Sequence, residues 1–347
     1  MDDIFSPLSR QQVIKAVERR YPARVPLVQA HWWGEGLVDQ YGDHLKLLEQ
    51  RYPEDAVFLW IDHSNYAEWG LPWQINADGA FDAHYVIDDW SKLDDLIAHF
   101  PDAETDPRFE HLRPLAEQAH REERYLIFAF WRLFFERPWE IRGMQNLLMD
   151  FYTTPAQVHK LYDALCEMYC AYLRRALREF QPDAFWSSDD LGHQRQLFMR
   201  PATFREFLKP YYQRIGDELR PAGVHWWLHS CGNNTAILGD LADSGVTVFH
   251  PVQKGTMDEV AVAREFGERL TFLAGFDVQH ILQEATPDQV RAEVRHLVDT
   301  FDRPEGGLCI AAGNGIVAGT PFENIEAFLD EAVRYGAHHR ATFQAAK

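Results

Sequence analysis

The chain has 347 residues, 46% hydrophobic and 25% charged, the composition of a soluble globular protein. Its 34 Lys plus Arg face 53 Asp plus Glu, a formal charge of -19, which argues against a nucleic-acid or anionic-membrane surface, since both need clustered cations. No run reaches the roughly 18 apolar residues of a membrane helix, MDDIFSPLSRQQ is acidic with no signal-peptide core, and four cysteines in such a length are no disulfide framework, so a cytoplasmic protein is expected.

Eight apolar, β-branched or aromatic runs bounded by turn residues follow in chain order: VPLVQAH (25–31), AVFLWID (56–62), YLIFAFW (125–131), AFWSSDD (184–190), VHWWLHSC (224–231), TVFHPV (247–252), LTFLAGFD (270–277) and LCIAAGN (308–314). They are continuous rather than alternating, as parallel strands covered on both faces should be. Amphipathic helical stretches separate most of them. Three start alike, at Thr154-Pro-Ala-Gln157, Thr286-Pro-Asp-Gln289 and Thr320-Pro-Phe-Glu323. In each, threonine is the expected cap, proline the first helical residue, and Gln or Glu the return partner of a capping box. Alternation of strand and helix predicts an α/β fold with a parallel sheet. Eight such strands predict a single (β/α)8 TIM barrel over 1–347, with 63–124 as an insertion between strands 2 and 3.

In such a barrel the site is built at the C-terminal ends of the strands. Those ends carry His31 and Glu35, Asp62 and His63, Trp131 and Arg132, Asp189 and Asp190, His229 and Cys231, His250, Asp277, and Asn314. His229 and Cys231 stand two apart, on the same side of an extended strand. Imidazole and thiolate are good zinc ligands, and a catalytic zinc takes about three protein ligands and keeps one position open. The bland alternative is a buried strand end whose histidine bonds to backbone. Asp189 and Asp190 point to opposite faces, so at most one meets the pocket, and the other suits a cap. Trp32, Trp33, Trp60, Trp69, Trp131, Trp186, Trp226 and Trp227 suggest as a group a pocket with aromatic walls, though each alone is a core residue by default. Cys166 and Cys170 share a helix face and read as core. No Walker, G-x-G-x-x-G or G-x-S-x-G motif is present.

LHSCGNNTAILGDLADSGVTVFHPVQ, FLAGFDVQHILQEATPDQVRAEV, GTPFENIEAFLDEAVRYG and SSDDLGHQRQLFMRPATFREFLKP together resemble the uroporphyrinogen decarboxylase superfamily, strongly over about 184–336 and weakly before it. The resemblance implies a (β/α)8 barrel and one of two chemistries. One is decarboxylation of a tetrapyrrole with many carboxylates, whose enzymes share an Arg-Gln-Ala-Gly-Arg stretch at the first strand. Here that place holds VQAHWWGEG (28–36), with neither arginine. The other is methyl transfer with corrinoid proteins, in which zinc bound by His-x-Cys and a distant cysteine activates a thiol; related branches serve O-demethylation. The resemblance maps the zinc pair onto His229 and Cys231. The distant cysteine would fall at Asn314, and Cys309 lies five residues earlier, roughly 16 Å along a strand. Cys309 therefore reads as core, and the third ligand stays open among Glu35, His63, Asp190 and His250. Recurrent blocks of the superfamily make Asp190 and Asp277 the candidate catalytic residues. Gln194, with Glu35, His63 and Asn314 by position, are candidate substrate contacts.

Zinc at His229 and Cys231, a corrinoid carried by a partner protein, a small-molecule substrate and a homodimer are thus expectations of the resemblance. Three readings stay open: a zinc-assisted methyltransferase or O-demethylase component, a cofactor-independent decarboxylase of a smaller acid, and a non-enzymatic ligand-binding barrel.

Overall fold

The computed structural model describes residues 4–61, 74–75 and 84–345. Seven of the eight expected runs form strands, and most are buried along their whole length, as their uninterrupted apolar sequence requires. These are β1 (Ala56–Trp60), β4 (Tyr125–Phe130), β5 (Ala184–Ser188), β6 (His225–His229), β7 (Val246–His250), β8 (Thr271–Phe276) and β9 (Leu308–Ala312). They form one sheet in the order β1-β4-β5-β6-β7-β8-β9, with parallel registers such as Ser188↔His229 and Leu273↔Cys309. Two short antiparallel strands, β2 (Gln74–Ile75) and β3 (His84–Tyr85), and helices Leu93–Ala98 and Arg108–Arg121 lie between β1 and β4. The described residues form an α/β fold whose main sheet has seven parallel strands. No described helix is long and apolar enough to cross a membrane.

The chain divides into two compact units, Met1–Val57 with Ala119–Leu126 and Thr247–Lys347, and Phe58–Gln118 with Ile127–Val246. In the first, the expected strand 25–31 is reduced to a single parallel bridge, Leu27↔Ile310. The reason is where its backbone donors go. Pro26 has none, Gln29 is left-handed (φ 57), and Gln29 N and His31 N donate to the Glu54 carboxylate at 2.6 and 2.9 Å. Leu27 N donates to Asp55, which is fully buried in an ion pair with Arg24 at 2.6 Å. Two carboxyl groups thus take three of the segment's donors, and only one rung to β9 remains, Val28 N to Ile310 O and Ile310 N to Pro26 O, both at 2.9 Å. Burial raises the Glu54 carboxyl to about 8 and lowers the neighbouring His31 imidazole to about 4. Cys309 is buried within β9, and burial holds its thiol well above the ordinary range.

The helix starts show how far a motif fixes a cap. At Thr286 the full capping box forms. At Thr154 it does not: the hydroxyl donates to Asp150 at 2.8 Å and accepts from the Trp90 indole at 3.0 Å, so the helix Pro155–Glu179 starts without a side-chain cap. The Thr320 hydroxyl turns back to Val317 O at 2.9 Å, ahead of the helix Phe322–Ala345. In both the hydroxyl is turned to another partner, donating to Asp150 or to Val317 O.

In the second unit β4, β5 and β6 lie side by side, with Trp186 opposite Trp227. Alternation along β6 sorts its tryptophans. Trp226 stacks on Tyr212 and donates to Ser187 Oγ at 2.8 Å, on the helix side. Trp227 and His229 share the other face with Trp186. Cys166 and Cys170 are buried on the long helix Pro155–Glu179, as expected of core residues.

Candidate metal centre

His229 ends β6, and Cys231 follows in the loop. Asp190 leaves the end of β5, the neighbouring strand. The ligand atoms of Asp190, His229 and Cys231 lie within 4.8 Å of one another. His229 Nε2 is 3.4 Å from Cys231 Sγ and 3.5 Å from Asp190 Oδ1, and Cys231 N donates to that same oxygen at 2.8 Å.

Three local devices bring these groups together. Ser230 Oγ accepts from Leu191 N at 3.1 Å, tying the two loops. The buried Asn234 amide donates to the carbonyls of Ser230, Cys231 and Gly232 at 3.0, 3.0 and 3.2 Å, folding the loop around itself. Gly232 is left-handed (φ 79), and a Cβ on it would sit 2.3 Å from the Gly192 carbonyl; a Cβ on Gly192 would sit 2.8 Å from Asn233 N. The loops after β5 and β6 therefore cross backbone to backbone, which only glycines allow.

The two adjacent aspartates divide their work as alternation predicts. Asp189 is fully buried and accepts from Phe134 N, Phe135 N, Glu136 N and the Tyr212 hydroxyl, at 3.0, 2.9, 2.8 and 2.7 Å. It caps the turn that opens helix Glu136–Arg142, not its own segment, and burial raises its carboxyl to about 6. Asp190 alone turns to His229 and Cys231. Glu136 was not expected; it accepts from Ser188 Oγ at 2.7 Å. Burial, then the charges of Asp190 and Asp189, hold its carboxyl well above the usual range. Its only sequence signal is an acid six residues past the end of β4.

His229 is buried, and desolvation lowers its pKa against the opposing pull of Asp190, so it is neutral with a lone pair to give. Its ring lies edge-on to Trp131 at 5.9 Å, 88° apart, and 6.4 Å from Trp186. Trp131 stacks on Trp60 at 5.0 Å, and Trp60 on Phe58 at 5.4 Å. Of the tryptophans at strand ends, these form an aromatic wall beside the histidine.

The donors fit zinc. Sulfur, imidazole and carboxylate in one cluster are a zinc set, and tetrahedral ligands at ordinary bond lengths stand roughly 3.3–3.6 Å apart. The His229–Cys231 and His229–Asp190 separations of 3.4 and 3.5 Å fall in that range.

The other candidates are placed as follows. Gln194 is exposed in the loop after β5. Glu35, Asp277 and Asn314 belong to the other unit. Glu35 is exposed, and its carbonyl accepts from Ala318 N at 2.9 Å. Asp277 Oδ1 accepts from Gln279 N and His280 N at 2.9 and 3.1 Å, shaping its own turn. Asn314 is exposed, and its side chain accepts from Gly315 N at 2.7 Å. His250 Nε2 donates to the Ala312 carbonyl at 3.0 Å. His63, with Asp62 and Trp69, lies outside the described residues.

Residues 139–335 match the family model for uroporphyrinogen decarboxylase (URO-D). The methylcobamide:CoM methyltransferase MtaA of Methanosarcina barkeri is 31% identical over 140 residues, 40% of this chain and 38% of that one. MtbA of Methanosarcina mazei, another methylcobamide:CoM methyltransferase, is 26% identical over 132 residues, 38% of this chain and 37% of that one. A uroporphyrinogen decarboxylase of Anaeromyxobacter dehalogenans is 26% identical over 195 residues, 56% and 53% of the two chains. The matched stretch thus spans under two fifths of the length of the two methyltransferases. A solved methyltransferase from Methanosarcina mazei shares the fold at a TM-score of 0.69 and 17% identity, over 95% of this chain and 99% of that one. The family match covers more than half of the sequence, from inside helix Glu136–Arg142 to the last helix, and the chain belongs to the uroporphyrinogen decarboxylase family, within which it resembles the methylcobamide methyltransferases.

Proposed function

We propose that this protein is a methyltransferase that moves a methyl group between a corrinoid, carried by a partner protein, and a small thiol or methoxylated substrate, with zinc held by His229, Cys231 and Asp190. The observation that carries the reading is the three-donor cluster, with His229 at 3.4 Å from Cys231 Sγ and 3.5 Å from Asp190 Oδ1 and all three within 4.8 Å. Bound zinc would lower a thiol's pKa and so supply a thiolate nucleophile. In the thiol reaction the S–C bond forms, the Co–C bond breaks with its electron pair left on cobalt, and the thiol proton is lost. The chain's own residues prepare this. Burial keeps His229 neutral, Cys231 N–H fixes the Asp190 carboxylate, and Trp60, Trp131 and Trp186 give the histidine's side of the cluster an aromatic wall. Asp277, Gln194, Glu35, His63 and Asn314 remain proposed contributors at strand ends. We also propose one (β/α)8 barrel domain with 63–124 as an insertion between its second and third strands; the strand order and the likeness over 95% of the chain support it.

A polycarboxylate decarboxylase is supported less. It needs cations at the pocket, and Arg132 is engaged with Glu140 at 2.7 Å. The first test is metal content by elemental analysis of wild type and Cys231→Ser, with methyl transfer from methylcobalamin to small thiols. Near-stoichiometric zinc, lost in the variant with its thermal transition intact, is expected. A variant that keeps both metal and activity refutes the proposal, and a wild type that takes up no zinc returns the decarboxylase and binding readings to the front.

A further inference from the structure

A cavity of about 600 Å³ opens in the second unit, lined by the helix Met144–Thr153, the loop 195–200 and the turn after Asn233. None of Asp190, His229 and Cys231 lines it. Much of its lining is apolar: Leu148, Phe151, Leu197, Phe198 and Met199, with Tyr152. Its charge is one-sided. Arg195 and Arg200 line it, and no carboxylate does.

That is unusual in this chain, where acids exceed bases by 19. In the same unit Arg174, Arg205 and Arg214 each hold a carboxylate. Among the described residues, neither Arg195 nor Arg200 has a carboxylate within ion-pair distance. Two arginines without a carboxylate partner beside apolar lining residues, in a cavity of ordinary ligand size, are the parts of a site for an amphipathic anion. The geometry points to a second binding site, separate from the metal centre, for a small organic anion whose apolar body fills the cavity and whose carboxylate or phosphate meets Arg195 and Arg200. The two sites share a boundary: Asn233 lines the cavity two residues after Cys231, and its N–H donates to His193 O at 2.9 Å, three residues after Asp190.

The probe is 1-anilinonaphthalene-8-sulfonate, an aromatic body with one anionic group, followed by fluorescence titration with and without EDTA. The neutral analogue is N-phenyl-1-naphthylamine. Saturable one-to-one binding of the sulfonate is expected, in both conditions. Each of Arg195→Gln and Arg200→Gln should weaken it about tenfold, with the neutral probe unaffected. Both arginines are exposed, so the variants should melt like wild type. Thr235→Glu, an exposed lining residue, should abolish sulfonate binding by repulsion without loss of fold. Competition by 1-naphthoate or by 1-naphthyl phosphate supports the site, and the stronger competitor names the head group. The inference is overturned if the double arginine variant binds the sulfonate as tightly as wild type. It is also overturned if neither competitor displaces the probe, or if EDTA abolishes binding, since the anion would then be meeting a metal.

Discussion

Replacing Gly232 by alanine tests how the candidate centre is assembled. At φ 79 the residue is in the left-handed region, and its Cβ would fall 2.3 Å from both C and O of Gly192 and 2.7 Å from His193 N. All three are backbone atoms, so no side chain can swing away. The left-handed conformation costs about 1 kcal/mol for alanine, and relieving the overlap by backbone shift costs a further 1–3 kcal/mol or so. The expected loss is about 2–4 kcal/mol, measured by urea unfolding. The shift must also part the loop carrying Asp190 from the loop carrying Cys231, so zinc affinity by chelator competition should fall at least tenfold. Two controls separate the contributions. Gly192→Ala meets Asn233 N at 2.8 Å with no positive φ, so it carries only the overlap and should cost less. Gly223→Ala has φ 68 with nothing within 4 Å of the added carbon, so it should cost about 1 kcal/mol and leave zinc untouched. A Gly232→Ala protein with wild-type stability and zinc affinity would refute the crossing-loop account.

Asn234→Ala should cost about 2–4 kcal/mol by the same unfolding assay, because three carbonyls lose their donor in a buried loop; a loss under 1 kcal/mol would show that the clamp is incidental. Cys309→Ala should leave zinc content at the wild-type level by elemental analysis, since that thiol sits in the buried body of β9. The Glu54–His31 pair should impose a stability plateau from about pH 4.5 to 6.5. The Glu54 carboxyl is raised to about 8, so its favourable contribution is full below its unfolded pKa near 4.5 and is lost as pH rises to 8. With 22% of that side chain still in water, screening leaves about 2–3 kcal/mol. His31 is depressed to about 4, so its contribution is full above 6.5 and is lost as pH falls through 4. Urea unfolding between pH 4 and 8.5 should be level from about 4.5 to 6.5, where the two contributions oppose each other, and fall above it. Glu54→Gln should remove the fall and expose a rise up to about 6.5, and His31→Asn should extend the fall down to about 4.5. A profile unchanged by Glu54→Gln would refute the assignment.

The strands were legible because burial on both faces leaves a plain mark, an unbroken apolar run, and seven of the eight runs became strands. The eighth failed for reasons that do not appear in a hydrophobic pattern. VPLVQAH has the composition of a strand, but three of its amides are claimed by Glu54 and Asp55, 23 to 28 residues away in sequence. A carboxylate that takes a strand's donors is a tertiary fact. The same holds for Thr154, whose motif matches Thr286 but whose hydroxyl finds Asp150 and Trp90 first.

The centre was legible in halves. His-x-Cys at a strand end offers a pair of metal-ligand types, a weak signal alone, and Asp190 stood among several candidates for a third donor. What the sequence lacks is the register of β5 against β6. Ser188 pairs with His229, which sets Asp190 level with Cys231 two residues beyond each strand end. Given that register, the rest follows locally. A residue two past Ser188 and one two past His229 face each other across about one strand spacing, and the Cys231 amide can then reach the Asp190 carboxylate. The glycines that come next, Gly192 and Gly232, are what let the chains stay that close as they leave the sheet. Read alone, Asp-Leu-Gly and Ser-Cys-Gly are two ordinary turns. Read as one crossing, they explain why an aspartate in the first and a cysteine in the second end up as neighbours of one histidine, and why that arrangement depends on two residues with no side chain at all.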